Sequence, residues 1–172
     1  TPAALLAGSS VLALHRRGKQ LAIEGTGGVV LVHLGMTGQL ELSAADFHDR
    51  PTHDRHTHAI WSLELGASPD SPRLLWFRDP RRFGGLWTFA SMDDVHSRWA
   101  LLGPDALTIS GDDLARAIAG SKRAIKAALL DQGVLAGVGN IYADEALFRA
   151  GIRPGKLAAR VRRDQAGLLA EA

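Results

Sequence analysis

The segment Arg78-Asp-Pro-Arg-Arg-Phe-Gly84 places three arginines and one phenylalanine close together. Arginine can donate hydrogen bonds to phosphates or to base edges, and phenylalanine can wedge into a base stack. The segment therefore has the chemistry of a nucleic-acid contact. On spacing alone, a turn between two strands with solvated arginines is the favoured interpretation.

A second segment, Asp131-Gln-Gly-Val-Leu-Ala-Gly-Val-Gly-Asn140, has the arrangement of a phosphate grip. Gly137 and Gly139 would allow close approach of the backbone, and the first amides of a following helix would face an anion. The Asn140 side chain would add a donor. A plain helical hairpin whose glycines only make the turn explains the pattern equally well.

In a third segment, His33-Leu-Gly-Met-Thr-Gly38, a methionine flanked by glycines follows an apolar run. Taken alone, a buried methionine beside a turn is the more common arrangement. No nucleophile elbow, Walker loop or zinc-protease helix occurs. A surface role is more common for a lysine than Schiff-base chemistry, and we expect it for each of the four lysines, which are Lys19, Lys122, Lys126 and Lys156.

Four histidines raise a metal hypothesis, which the spacing does not favour over a polar loop. They are His48, His53, His56 and His58, with Asp46, Asp49 and Asp54 nearby. Cysteine is absent, which excludes disulfides and thiolate metal sites within this chain. We therefore assign it no metal.

The composition is that of a globular protein, with 172 residues of which 46% are hydrophobic. No apolar run of about 18 residues occurs, and no signal-peptide pattern is present. The net charge of +2 is too small to argue for nucleic acid by itself, although the basic residues are clustered. The chain opens without methionine and closes on a helical pattern without a stop signal, so we expect a fragment.

The first half of the chain has the pattern of β-strands and the second half that of helices. Residues 1–103 are predicted to form an antiparallel β-sandwich, and residues 104–172 a helical domain, giving an α+β fold. The predicted strands are 11–16, 20–24, 29–34, 58–65, 73–77 and 85–89, with a surface loop at 43–57. The predicted helices follow Ser91, Ser110, Ser121 (122–132), Asn140 (141–150) and Pro154.

Together these segments resemble the formamidopyrimidine-DNA glycosylase and endonuclease VIII family, and the formamidopyrimidine branch more closely. The resemblance rests on four segments in the family's order, which span nearly the whole chain. They are His33–Gly38, Asp79–Gly84, Leu102-Gly-Pro-Asp105 and Ile125–Ile152.

The resemblance implies a β-sandwich hinged to a domain with a helix–two-turns–helix motif, with damaged double-stranded DNA bound in the cleft. It further implies extrusion of the damaged base, whose vacated space is filled by three side chains. Met36, Arg81 and Phe83 match these, with Arg81 facing the orphaned cytosine. Asn140 and Lys19 match phosphate-gripping residues, and Lys126 is a weaker match as a lysine of the cleft.

The implied function is base-excision repair by a bifunctional glycosylase and abasic-site lyase, acting as a cytoplasmic bacterial monomer on 8-oxoguanine and formamidopyrimidines. The family's catalytic N-terminal Pro-Glu run has no match here, since Pro2 follows Thr1 in a different context. The four-cysteine zinc finger also has no match, so zinc is expected only in the parent protein. We therefore assign no catalytic residue and expect this chain alone to be inactive.

Two other interpretations stay open. One is a DNA-binding relative that kept the cleft and lost the nucleophile, which the parent gene upstream of Thr1 would reveal. The other is a two-domain protein with a different phosphate ligand, which a cleft without basic character would favour.

Overall fold

The computed structural model describes residues 5–43, 54–64 and 74–172. The chain divides into two compact units. The first unit comprises Thr1–His15 and Gln20–Met92, and the second comprises Arg16–Lys19 and Asp93–Ala172. Residues Arg16–Lys19, at the tip of the first β-hairpin, therefore belong by their contacts to the helical unit.

The β-strands form two antiparallel sheets. The first sheet has the order β1-β2-β3-β7 and the second has the order β4-β6-β5. The strands are β1 (Val11–Arg17), β2 (Gln20–Gly25), β3 (Gly28–His33), β4 (Gln39–Ser43), β5 (Thr57–Ser62), β6 (Leu74–Arg78) and β7 (Gly85–Phe89). Six of these were expected from the sequence, and β4 was missed.

The two sheets share one apolar core, which makes the first unit a sandwich. Ile23, Val30 and Val32 enter the core from the first sheet, and Ala59 and Phe77 enter it from the second. Val30 and Val32 enter the same core because strand side chains alternate between the two faces of a sheet. The predicted sandwich is confirmed.

The second unit is helical. Its helices are α1 (Met92–Trp99), α2 (Gly111–Ile118), α3 (Ile125–Leu130), α4 (Asn140–Arg149) and α5 (Arg163–Glu171), with a 3-10 turn at Ala158–Arg160. Ser110 caps α2 as predicted, because its side chain accepts a hydrogen bond from the Asp113 amide. The core contains Leu114, Ile118 and Leu147, each almost fully buried.

Helix α3 is present but shorter than predicted, and the expected bounds of 122–132 were wrong at both ends. The Ile125 amide donates to the carbonyl oxygen of Lys156 at 2.7 Å, and the Ala158 amide donates to that of Arg123 at 2.9 Å. The segment before α3 therefore pairs with a distant extended segment instead of forming the first helical turn. No local pattern encodes this pairing, since the paired segments lie some thirty residues apart along the chain.

Two smaller expectations also changed. Asn140 is the first residue of α4, whereas the N-cap is Gly139, which has no side chain to make a capping bond. The predicted loop at 43–57 lies mostly outside the described residues, as do His48 and His53 of the metal hypothesis. Among the described residues, no helix is long and apolar enough to cross a membrane.

Candidate nucleic-acid interface

Two turns of the sandwich unit present the first three candidate side chains. Met36 lies between β3 and β4, and Arg81 and Phe83 lie between β6 and β7. The Met36 side chain is 70% exposed and the Phe83 side chain is 56% exposed. The Arg81 guanidinium carbon lies 4.9 Å from the centre of the Phe83 ring, within the range of a cation–π contact.

The two turns touch through their backbones. Gly35 has a φ of +62°, and a Cβ atom at this position would lie 2.4 Å from the carbonyl carbon of Phe83. Only glycine satisfies both the left-handed conformation and this close approach. Gly35 thereby allows the turn that carries Met36 to approach the backbone of Phe83 closely.

Arg82 separates Arg81 from Phe83 in an uncommon conformation, with a φ of +56°. Arginine in the left-handed region is strained, and such strain persists only where the surrounding structure fixes it. Here the fixing contacts come from Asp79, whose carboxylate accepts hydrogen bonds from the amides of Arg81 and Gly84. The turn is therefore held in one shape around the exposed Phe83.

The helical unit contains the predicted helix–two-turns–helix motif, with α3, a two-turn segment at 131–139, and α4. The Gln132 side chain lies at its centre. Its Nε2 donates to the carbonyl oxygens of Leu130 and Val138, both at 3.0 Å, and its Oε1 accepts from the Gly137 amide at 3.0 Å. The side-chain amide of Gln132 thus connects the start of the two-turn segment to its end, just before α4.

The tip of the first hairpin lies against the same two turns. A Cβ atom at Gly18 would lie 3.0 Å from that of Ala136, and one at Gly139 would lie 3.4 Å from Nζ of Lys19. Partial burial lowers the pKa of Lys19. Lys19 therefore lies beside the start of α4, although the two are far apart in the sequence.

Asp105 fixes the hairpin tip in this position. It is 8% exposed and accepts hydrogen bonds from the Arg16 guanidinium and from the Gly18 amide. Burial alone would raise the pKa of Asp105, but these bonds and one from the Leu107 amide outweigh it and hold the pKa below its ordinary value. Asp105 is therefore charged at neutral pH and anchors the turn that carries Lys19.

Asn140 is exposed at the first position of α4, where no hydrogen bond engages its side chain among the described residues. Its amide group is available to a ligand at the helix start, where unpaired backbone amides and the helix dipole favour an anion. Lys126 differs, because its Nζ forms an ion pair with Asp144 at 2.8 Å. Its charge is already partly neutralised, which weakens it as a phosphate contact.

Three residues that position this interface were not singled out from the sequence. Asp79 and Asp105 are the buried charged residues among those described, and Gln132 organises the two turns. An aspartate or glutamine in a polar segment normally indicates solvent exposure, so composition alone could not find them. For Asp79, the only sequence feature that could have indicated a structural role is its position at the end of a strand, directly before Pro80.

The residues that the structure describes form no zinc site. The chain contains no cysteine, and no group of three potential metal ligands occurs within the described part of the chain. Two members of the metal hypothesis that the structure describes have other partners. The Asp54 carboxylate pairs with Arg78, and the His58 ring bonds the carbonyl oxygen of Asp79.

The chain is thus an antiparallel sandwich followed by a helix–two-turns–helix motif, and each presents exposed basic residues. The family model described as "Formamidopyrimidine-DNA glycosylase H2TH domain" matches residues 102–172. The one described as "Formamidopyrimidine-DNA glycosylase N-terminal domain" matches residues 2–86. The chain belongs to the formamidopyrimidine-DNA glycosylase family.

Known relatives support this assignment. The formamidopyrimidine-DNA glycosylase of Cereibacter sphaeroides is 42% identical over 166 residues, which are 92% of this chain and 56% of that protein. The crystal structure of the MutM (Fpg) protein from Thermus thermophilus is 39% identical, with a TM-score of 0.76, over 95% of this chain and 57% of that one. A structure of MutM in complex with DNA containing carbocyclic 8-oxo-G is 29% identical, with a TM-score of 0.80, over 97% of this chain and 61% of that one. The chain thus spans somewhat over half the length of these relatives.

Proposed function

We propose that this chain forms the DNA-reading part of a bifunctional DNA glycosylase and abasic-site lyase that removes oxidised purines from duplex DNA. The observation that carries the proposal is the set Met36, Arg81 and Phe83, exposed together on two touching turns. The whole protein would act on 8-oxoguanine and formamidopyrimidines opposite cytosine. The related MutM protein, bound to DNA that contains carbocyclic 8-oxo-G, supports this substrate class.

The three side chains suit the space left by an extruded base. Extrusion costs a few kcal/mol in lost stacking and pairing. Phe83 and Met36 are apolar and can stack against the neighbouring bases, which recovers part of that cost. Arg81 presents several donors, and the pairing edge of an orphaned cytosine offers two acceptors, so Arg81 would select the base opposite the lesion.

The second unit would supply affinity without reading sequence. Lys19, the Asn140 amide and the first backbone amides of α4 are all donors to a phosphate group. Contacts of this kind fix the position of the protein on the duplex and weaken with rising salt concentration. Lys126 would contribute less, since Asp144 already neutralises it.

We assign no chemical step to the residues of this chain. In the family, the nucleophile is an N-terminal proline amine with a neighbouring glutamate, and no residues here match that run. The amine would attack the sugar carbon in the whole protein, and the present residues would hold the DNA for that attack. The partner is damaged double-stranded DNA, bound by a monomer.

The test is equilibrium binding at fixed salt, measured by fluorescence anisotropy. One duplex carries a tetrahydrofuran abasic analogue opposite cytosine, and a matched duplex is undamaged. We expect tighter binding to the abasic duplex, and we expect Phe83→Ala to reduce this preference by roughly tenfold, as loss of a stacking contact does. Phe148→Ala is the matched control, because this phenylalanine is 84% exposed on α4 and is assigned no contact with DNA.

Equal affinity of the wild-type chain for the two duplexes would contradict the proposal. The chemical activity is tested in the whole protein by nicking of an 8-oxoguanine:cytosine duplex and by borohydride trapping. Damage-specific binding without nicking would instead favour a DNA-binding relative without catalysis. Cleavage restricted to oxidised pyrimidines would place the protein in the endonuclease VIII branch.

A further inference from the structure

Asp79 is a buried carboxylate to which the proposed function assigns no contact with DNA. It follows β6 directly, its residue surface is 1% exposed, and it lies between the two turns that carry Met36 and Phe83. Burying a carboxylate is costly unless hydrogen bonds replace its water shell. The identity of the donors therefore shows what this carboxylate holds together.

The donors come from both turns. Oδ1 accepts a 2.6 Å hydrogen bond from the Thr37 hydroxyl, and it also accepts from the Arg81 amide at 3.3 Å. Oδ2 accepts from the Gly84 amide at 2.7 Å. Thr37 directly follows Met36, whereas Arg81 and Gly84 lie on either side of Arg82 and Phe83. One carboxylate thus joins the residue beside Met36 to both ends of the Arg81–Gly84 turn.

A second link runs through Thr37 itself, whose hydroxyl oxygen accepts from the Arg81 amide at 3.3 Å. The Thr37 hydroxyl therefore donates to Asp79 and accepts from Arg81 at the same time. The backbone contact at Gly35 adds a steric constraint on the same two turns. Neither turn can shift without breaking bonds to the other.

We propose that Asp79 and Thr37 are positioning residues that couple the two turns, so that Met36, Arg81 and Phe83 share one fixed arrangement that sets the preference for the base opposite the lesion. The proposal rests on the proposed function. Side chains fixed before binding lose less conformational freedom when they enter the duplex. A misplaced Arg81 would meet the orphaned base in several orientations and would discriminate less.

The charge state agrees with this role. The hydrogen bond from Thr37 in particular, with those from backbone amides, holds the pKa of Asp79 below its ordinary value against the opposing effect of burial. The carboxylate is ionised at neutral pH, and charge-assisted hydrogen bonds are stronger than neutral ones.

The coupling is tested without DNA by amide hydrogen exchange, read by NMR. Thr37→Val replaces the hydroxyl with a methyl group and nearly keeps the shape of the side chain. We expect exchange at the Arg81 and Gly84 amides, in the other turn, to become about five- to tenfold faster, with no change at the core strand amides of Val30 and Val32. Thr37→Ser keeps the hydroxyl and should restore the slow exchange. Thr88→Val is the matched control on an exposed strand position.

The consequence for specificity is tested by binding to abasic-analogue duplexes with cytosine or adenine opposite the analogue. Thr37→Val and Asp79→Asn should reduce the cytosine preference by roughly five- to tenfold and leave affinity for undamaged duplex unchanged, a pattern that general destabilisation does not produce. Thr37→Ser should retain the preference. If Asp79→Asn fails to fold, the Thr37 pair still provides the comparison.

Unchanged exchange at Arg81 and Gly84 in a folded Thr37→Val variant would overturn the coupling. Faster exchange with an intact cytosine preference would overturn the role in specificity. A wild-type chain without any preference for the abasic duplex would contradict the proposed function and this specificity role, whereas the exchange result would still decide whether the turns are coupled.

Discussion

The guanidinium of Arg16 and the carboxylate of Asp105 form a two-point ion pair, with Nη1–Oδ2 at 3.0 Å and Nη2–Oδ1 at 3.1 Å. The same carboxylate accepts from the Gly18 amide at 2.8 Å. Arg16 is 44% exposed, so solvent screens part of its attraction. The amide bonds are therefore as important as the charge in holding the hairpin tip against the helical unit.

Asp105→Asn should lower the free energy of unfolding by about 1–3 kcal/mol at neutral pH, the range for losing hydrogen bonds to a charged group. Denaturant unfolding followed by circular dichroism measures the change. Asp164→Asn is the matched control, because Asp164 is 64% exposed and pairs with Arg162, which is 67% exposed. We expect a change below about 1 kcal/mol for this control, and equal effects of the two substitutions would contradict the anchoring role of Asp105.

The destabilisation caused by Asp105→Asn should also depend on pH. Despite the opposing effect of burial, the hydrogen bonds keep the pKa of folded Asp105 below its value in the unfolded chain. The folded state therefore binds this proton less tightly, so the stabilisation is fully present above the unfolded pKa of about 3.9 and is lost as pH falls through the folded pKa. The difference between wild type and Asp105→Asn should stay constant from about pH 5 to 8 and shrink below about pH 4. If the difference in stability between wild type and Asp105→Asn grew on acidification, the pKa of folded Asp105 would not be lowered as described.

Arg81→Ala should relax discrimination for the base opposite the lesion by about 1–3 kcal/mol, since the proposed contact of Arg81 forms only once the base has left the stack. Affinity for undamaged duplex should fall little. Binding isotherms on duplexes with cytosine and adenine opposite the abasic analogue measure both quantities. The control is Arg82→Ala, which removes the same charge from the neighbouring residue and should keep the discrimination. If both variants lost discrimination equally, Arg81 would make only a general electrostatic contact.

Asn140→Ala should weaken binding to damaged and undamaged duplex alike, by about 1–2 kcal/mol, because a phosphate contact carries no sequence information. The melting temperature should not fall, since the Asn140 side chain caps no helix and alanine is a good helix former. Isotherms on both duplexes at one salt concentration, together with thermal unfolding, check this expectation. A loss confined to the damaged duplex would argue against a phosphate contact.

Gln132→Glu should loosen the two turns before α4. The substitution replaces the donor that binds the carbonyl oxygens of Leu130 and Val138 with an oxygen that repels them. We expect a loss of about 1–3 kcal/mol in stability and weaker binding to both duplexes. Thermal unfolding and anisotropy measure these effects.

Gln165→Glu is the matched control for that substitution. The side-chain oxygen of Gln165 accepts from Nζ of Lys156 at 2.6 Å and from the Arg162 amide at 3.3 Å, so a carboxylate keeps both bonds. A destabilisation by Gln165→Glu as large as that by Gln132→Glu would show that the added charge, not the lost donor, is responsible.

The sequence by itself determined the local structure that short-range rules govern. Runs rich in branched residues predicted β2 and β3, and alternating residues predicted β5, because both patterns are properties of the local sequence. Ser110 predicted the start of α2, since its side chain bonds an amide three residues away. The motif segments also indicated the family, because residue types in a fixed order are a property of the chain alone.

The tertiary structure alone decided what depends on distant partners. Strand β4 was missed; it lies at the edge of the second sheet and pairs with β6, more than thirty residues later in the chain. Helix α3 lost its first turn to pairing between Arg123 and Ala158, which no local pattern records. Asp79 and Asp105 became buried anchors only because folding brought donors from remote segments to them. A carboxylate in a polar stretch is compatible with either environment, and the free energy that selects burial comes from hydrogen bonds that exist only in the folded chain.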